Sequence, residues 1–184
     1  MKKFAKWGLI IAAILVAVFV VGGFLIPSQW TVTETTSINA SNEVVYEQIA
    51  DLKNWQNWSS WTKEKDPTQV YTYEGPDMGA GAKWLWTSEK MGTGWLEIKE
   101  GTVDRGIVYE LFIDMGSMQS TVLGDIALAR VDESLNVIWT DKGDSGSSLA
   151  KRWMSLLVKN MLAKELKEGL AKLKALSESK ALVE

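Results

Sequence analysis

Hydrophobic and polar positions follow three different rhythms along this chain, and each rhythm predicts a different kind of element. From Trp7 to Ile26 there is no rhythm at all: WGLIIAAILVAVFVVGGFLI carries no charge. At ~1.5 Å per residue this stretch makes a helix ~30 Å long, the thickness of a bilayer core. Between Trp30 and Asp141 apolar and polar residues mostly alternate, the period-two signature of strands half-buried against a core. From about Ser148 to Ser177 the period changes again. Leu149, Trp153, Leu156, Ala163, Leu166, Leu170 and Leu173 recur at steps of three, four or seven, one stripe of a long helix. Met154, Leu157, Val158, Met161 and Leu162 widen the stripe in its first half, while Lys164, Glu165, Lys167, Glu168, Lys172 and Lys174 occupy the other side.

The middle region divides at its turn residues. Gln29–Ile38 has the Thr/Val content of a strand. Ser41 is placed to cap a helix lined by Val44, Val45, Ile49 and Leu52 and ending near Asp51. Trp55, Trp58 and Trp61, three apart, stack on one face of a second short helix that Asp66-Pro67 breaks. Strands follow at Gln69–Tyr73, Ala82–Ser88, Trp95–Val103, Ile107–Ile113, Met118–Val131 and Leu135–Asp141, with a hairpin turn expected at Gly92-Thr93-Gly94 and another turn at Asp132-Glu133. Ala82, Trp84 and Trp86 share one face; Leu96, Ile98, Ile107, Tyr109, Leu111, Ile113, Val122, Gly124, Ile126, Leu128, Val137 and Trp139 point the same way on their strands. The predicted class is α+β: a curved antiparallel sheet of about seven strands, two short helices and a long C-terminal helix, preceded by one transmembrane helix. Residues 1–28 form a basic tip and anchor, and residues 29–184 a single domain.

Charge refines the anchor. Lys2, Lys3 and Lys6 precede the apolar span and no Lys or Arg follows it until Lys53. By the positive-inside rule the N-terminus is cytoplasmic and the domain lies on the outer side. A cleaved signal peptide is the rival reading, disfavoured by the length of the apolar run and the lack of a small-x-small pair before Gln29. Residues 29–147 hold 9 basic against 19 acidic side chains, whereas from Ser148 onward the count is 8 against 4. An acidic body argues against nucleic acid as a partner and against electrostatic docking of the body on anionic lipid.

Candidate chemistry is sparse. The chain has no Cys and no His, which removes thiolate chemistry, the commonest general base and the commonest metal ligand. Asp66 with Asp77, and Asp141 with Asp144, lack the dense oxygen spacing of a calcium loop. The Gly79/Gly81 and Gly92/Gly94 pairs lie between strands and are turns, not phosphate cradles. No catalytic residue, metal or cofactor is expected. Asp141 alone among the acids shares the inward parity of Trp139. Lys151 and Arg152 open the long helix as surface charge, with an anionic head group as the alternative partner.

The ordered segments WSSWTKEKDPTQVYTYEGPDMGAGAKWLW, GTGWLEI, VIWTDKG and RWMSLLVKNMLAKELKEGLAKLKAL resemble the SRPBCC family, the START-like or helix-grip superfamily, in its branch labelled polyketide cyclase or dehydrase. The resemblance spans about Trp30–Leu176. It implies a cavity between sheet and long helix that holds an apolar or amphipathic molecule. Trp84, Trp86, Tyr109, Trp139 and Trp153 are the candidate ligand-binding wall, since aromatics with a polar edge suit an amphipathic ligand; ordinary core packing is the competing role for each. The expected function is a membrane-anchored binding domain for a lipid-like or other hydrophobic small molecule. An enzyme of cyclase, dehydrase or hydrolase type in the same cavity and a partner-binding module with a filled core are the alternatives.

Overall fold

The structure is a computed structural model that describes residues 2–116, 118–132 and 134–182. Met1 of the basic tip and Glu133 of the expected turn lie outside them. The apolar N-terminal run forms helix α1 (Lys2–Leu25), ending just before Pro27. Strand β1 (Gln29–Ile38) leads into α2 (Asn42–Ala50), whose cap is Ser41, its Oγ accepting from Val44 N. The one-turn helix α3 (Trp55–Trp58) follows. Six further strands are β2 (Val70–Glu74), β3 (Lys83–Ser88), β4 (Gly92–Thr102), β5 (Gly106–Asp114), β6 (Gln119–Val131) and β7 (Ser134–Asp144), before the 33-residue helix α4 (Leu149–Ala181).

All seven strands form one antiparallel sheet in the order β1-β7-β6-β5-β4-β3-β2, with α4 across one face. This is the helix-grip fold. The alternation expected from the sequence holds, since Leu96, Ile98, Ile107, Tyr109, Val122, Ile126, Val137 and Trp139 are all buried. The outward carboxylates Glu97 and Glu110 pair with Lys99 at 3.0 and 3.3 Å.

The expected Gly92-Thr93-Gly94 turn is displaced. The turn is Glu89-Lys90-Met91, and both glycines belong to β4. Gly92 has a φ of +65° where the strand begins. Gly94 lies opposite Trp86 in the ladder, and a Cβ there would overlap the indole. The same cross-strand arrangement recurs at Tyr109 over Gly124 and Trp30 over Gly143. These glycines let large rings lie down on the sheet, which lowers its floor beneath the helix.

The helix covers the sheet unequally. In its C-terminal half Leu166, Leu170 and Leu173 are fully buried, and Gly169 brings the backbone close to the Trp139 ring. In its N-terminal half only Ser155 is buried. The core therefore closes at one end of the helix and opens at the other.

Candidate functional site

A cavity of about 260 Å³ lies beneath the open half of α4. For scale, an engineered hole of ~150 Å³ lined by apolar side chains binds benzene. Its floor is Trp84, Trp86, Leu96, Tyr109, Leu111, Ile113 and Val122 of the sheet; Val158, Met161 and Leu162 form the roof, and Trp55 and Trp61 contribute from the α3 region. Ser60 Oγ donates to the Glu165 carbonyl at 3.0 Å and Lys65 pairs with Glu165 at 3.1 Å, fixing the Trp61 loop to the helix.

Trp84, Trp86 and Tyr109 therefore come together on the cavity wall, where alternation placed them. Trp139 does not reach it. It points inward as expected, but it is fully buried among Trp55, Trp58 and Trp61 at centroid distances of 5.7, 5.3 and 6.0 Å. The competing role of core packing holds for it. Trp55 and Trp58 anchor this cluster by donating their indole N–H groups to the carbonyls of Ile49 and Gln48.

Trp153 is a clear departure. It is not on the cavity wall; its indole N–H donates to the Phe19 carbonyl of α1 at 3.0 Å, and its ring stacks on Phe19. The helical stripe that includes Trp153 does not face one surface. In the structure its first turn meets α1, and only later turns meet the sheet. The chain supplied the apolar period but not the identity of the partner.

One polar pole interrupts the apolar lining. Tyr109 Oη donates to Asp141 Oδ1 at 2.5 Å, and Trp139 Nε1 donates to Tyr109 Oη at 2.8 Å. Asp141 is 1% exposed and lines the cavity. Burial pushes its carboxyl up to about 6, against the lowering effect of the Tyr109 hydrogen bond. Burial and the adjacent carboxylate push the Tyr109 phenol well above its ordinary value. The indole N–H groups of Trp84 and Trp86 have no acceptor among the described residues. An apolar chamber with one buried, titratable carboxyl at its wall can hold an amphipathic molecule and fix its polar end. Among the described residues no cluster of three or more metal-ligating side chains exists.

Gln69 and Met91, also on the wall, escaped the sequence reading. Gln69 Nε2 donates to Met91 Sδ at 2.9 Å and Tyr71 Oη donates to Gln69 Oε1. Gln69, expected to open a strand, lies one residue before β2, and Met91 sits in the turn between β3 and β4, so alternation gives neither side chain a direction.

Residues 29–178 match the sequence profile of the family described as polyketide cyclase / dehydrase and lipid transport. The chain belongs to this family. Solved structures agree on the fold. A hypothetical protein from Helicobacter pylori superposes with a TM-score of 0.61 at 12% identity, over 80% of this chain and 88% of that one. A protein from Thermus thermophilus gives 0.58 at 16%, over 83% and 99%. A protein from Chromobacterium violaceum gives 0.56 at 17%, over 80% and 96%. A search of curated protein sequences returns no match.

Proposed function

We propose that this member of the polyketide cyclase / dehydrase and lipid transport family is a membrane-anchored binding domain for a lipid-like or other hydrophobic small molecule. The observation that carries the reading is the chamber itself, about 260 Å³ and lined almost wholly by apolar side chains. Trp84, Trp86 and Tyr109 are its binding wall, with the polar end of the ligand at Asp141. Trp139 supports that wall from behind by holding Tyr109.

The anchor reading rests on α1. Lys6–Leu25 is long and apolar enough to cross a bilayer, and a cleaved signal sequence meets the same criterion. Retention is favoured by the way the domain uses this helix. Gly22 and Gly23 sit directly under Trp153 and Leu149, and Arg152 donates to the Ile26 carbonyl at 3.4 Å. Cleavage would uncover those side chains. The basic tip at Lys2, Lys3 and Lys6 supports a cytoplasmic N-terminus with the domain on the outer side.

The test is direct. Protein purified from membranes is extracted with organic solvent and the extract analysed by mass spectrometry; the emptied protein is titrated with a fluorescent long-chain alcohol. Binding at one molecule per chain with a change in Trp emission is expected. No co-purified molecule and no binding by the emptied protein would overturn the reading in favour of a structural module. A second reading, an enzyme in the same chamber, is favoured by Asp141, because a carboxyl raised to about 6 is poised to accept a proton near neutrality. Asp141→Asn separates the two: a binding domain keeps most of its affinity, whereas an enzyme binds its substrate and stops turning over.

A further inference from the structure

The N-terminal half of α4 leaves large apolar side chains in the open. Leu157 is 69% and Met161 62% exposed, with Met154 and Leu156 close to half. A folded domain has no internal reason to display four such residues on two turns. Their position relative to α1 supplies one.

Phe19 lies six residues before the end of α1, ~9 Å along the helix axis. Trp153 stacks on Phe19 and hydrogen-bonds to its carbonyl, so α4 meets α1 below the end of the apolar span. If α1 crosses a bilayer, the first turns of α4 occupy its interfacial layer, ~5–10 Å deep, where an indole is favoured. Only Ile26, Pro27 and Ser28 separate α1 from the sheet, and Ser145 N donates to the Ser28 carbonyl at 2.8 Å. The crossing is therefore tied to the domain at both sides. The charges agree. Between Ser148 and Lys164 the helix carries Lys151, Arg152, Lys159 and Lys164 and no acidic residue, in contrast to the acidic body. Basic residues beside an exposed apolar strip are the pattern of an interfacial helix.

The same two turns contribute to the chamber. Val158, Met161 and Leu162 line it from the helix, while Met115 and Met118 line it from the β5–β6 connection, and Met115 and Met161 are exposed. We infer that the N-terminal half of α4 is embedded in the surface of the bilayer that α1 spans, and that the chamber opens into the lipid through this methionine rim. Its ligand then exchanges with the membrane without crossing water. The embedding rests on α1 being retained; the exchange route rests in addition on the chamber binding a ligand.

The chain has no cysteine, so single labels can be placed at will. Full-length Leu157→Cys, Met161→Cys and Ala171→Cys proteins are labelled with NBD and reconstituted into phosphatidylcholine/phosphatidylglycerol vesicles. Nitroxide on the lipid acyl chains should quench the labels at 157 and 161 several-fold more than the label at 171, with aqueous iodide showing the reverse order. Labels at 157 and 161 that iodide quenches as strongly as the label at 171 would overturn the embedding. In a second arm, vesicles of the unsubstituted protein carry a lipid with a photoactivatable diazirine on its tail. Adducts are expected on Met115, Met118 and Met161 and, within the chamber, on Leu111 or Trp84. Adducts on the rim but none inside refute the chamber as a ligand site while the embedding stands. Adducts confined to α1 refute the exchange route.

Discussion

Tyr109 lies across Gly124 of the neighbouring strand, in the space a Cβ on Gly124 would need. The phenol is thereby held flat on the sheet with its hydroxyl on Asp141, and Trp139 secures it from behind. Gly124→Ala should lift the ring and cost roughly 1–3 kcal/mol in chemical denaturation, as overpacking does. Adding Tyr109→Leu should recover part of that loss, so the two changes will be non-additive. Additive losses would show that the ring does not depend on the glycine.

Asp141 gives a pH signature. Its carboxyl ionises with an ordinary value of 3.8 and with a value of about 6 in the folded protein. Between these values the folded chain binds the proton more tightly than the unfolded chain, so stability falls as pH rises from about 4 to about 6 and then levels. The shift corresponds to roughly 3 kcal/mol of penalty at neutral pH. Asp125, also raised by burial, contributes in the same direction. Asp141→Asn should therefore gain on the parent protein as pH rises from 4 to 7 in urea titrations. A constant difference across that range would place the carboxyl in a more hydrated setting than its burial implies.

Two tryptophans should separate wall from core. Trp139 packs on three other indoles, and Trp139→Ala should cost roughly 3–5 kcal/mol. Trp86 faces the chamber on one side and has fewer packing partners there, so Trp86→Ala should cost less while weakening binding of a fluorescent long-chain alcohol. Equal losses of stability, with binding unchanged by Trp86→Ala, would mean the chamber wall is ordinary core.

Orientation can be read with a reporter. Alkaline phosphatase fused after Glu184 should be active, and extraction at alkaline pH should leave the full-length chain in the membrane. A silent fusion reverses the topology, and a chain released with a new N-terminus near Gln29 makes α1 a signal sequence.

Residues 29–184 should fold without α1, because every strand and the buried half of α4 follow Pro27. A cooperative thermal transition is expected, with lower solubility than a typical domain once Leu149 and Trp153 lose their cover. Removing residues from Ser148 onward should abolish that transition. The buried helix side chains each contribute ~1.5–3 kcal/mol, so a few of them approach the whole stability of a domain.

Periodicity made the fold legible. Each strand carries its inward residues at a spacing of two, and α4 its stripe at three and four, so elements and faces follow from local sequence. What periodicity does not encode is depth. Trp84 and Trp139 share the inward parity, yet one meets open space and the other meets Trp55 and Trp58 of α3 and Trp61 of the loop after it, all distant in sequence. Trp153 illustrates the same limit between helices. The turn at Glu89-Lys90-Met91 was obscured because glycine serves two purposes. Gly92 adopts a positive φ, but Gly94 is there to clear Trp86, and spacing alone does not distinguish these roles.

The short junction between α1 and β1 sets the terms on which the domain meets anything else. With α1 kept and only Ile26, Pro27 and Ser28 between helix and sheet, the domain has no leash and sweeps no volume. A domain so anchored would not carry cargo across an aqueous gap to a second membrane. On the proposed reading its encounters would be confined to a plane, their frequency would follow lateral diffusion and copies per unit area, and a donor or acceptor would have to reside in the same leaflet or be brought to it.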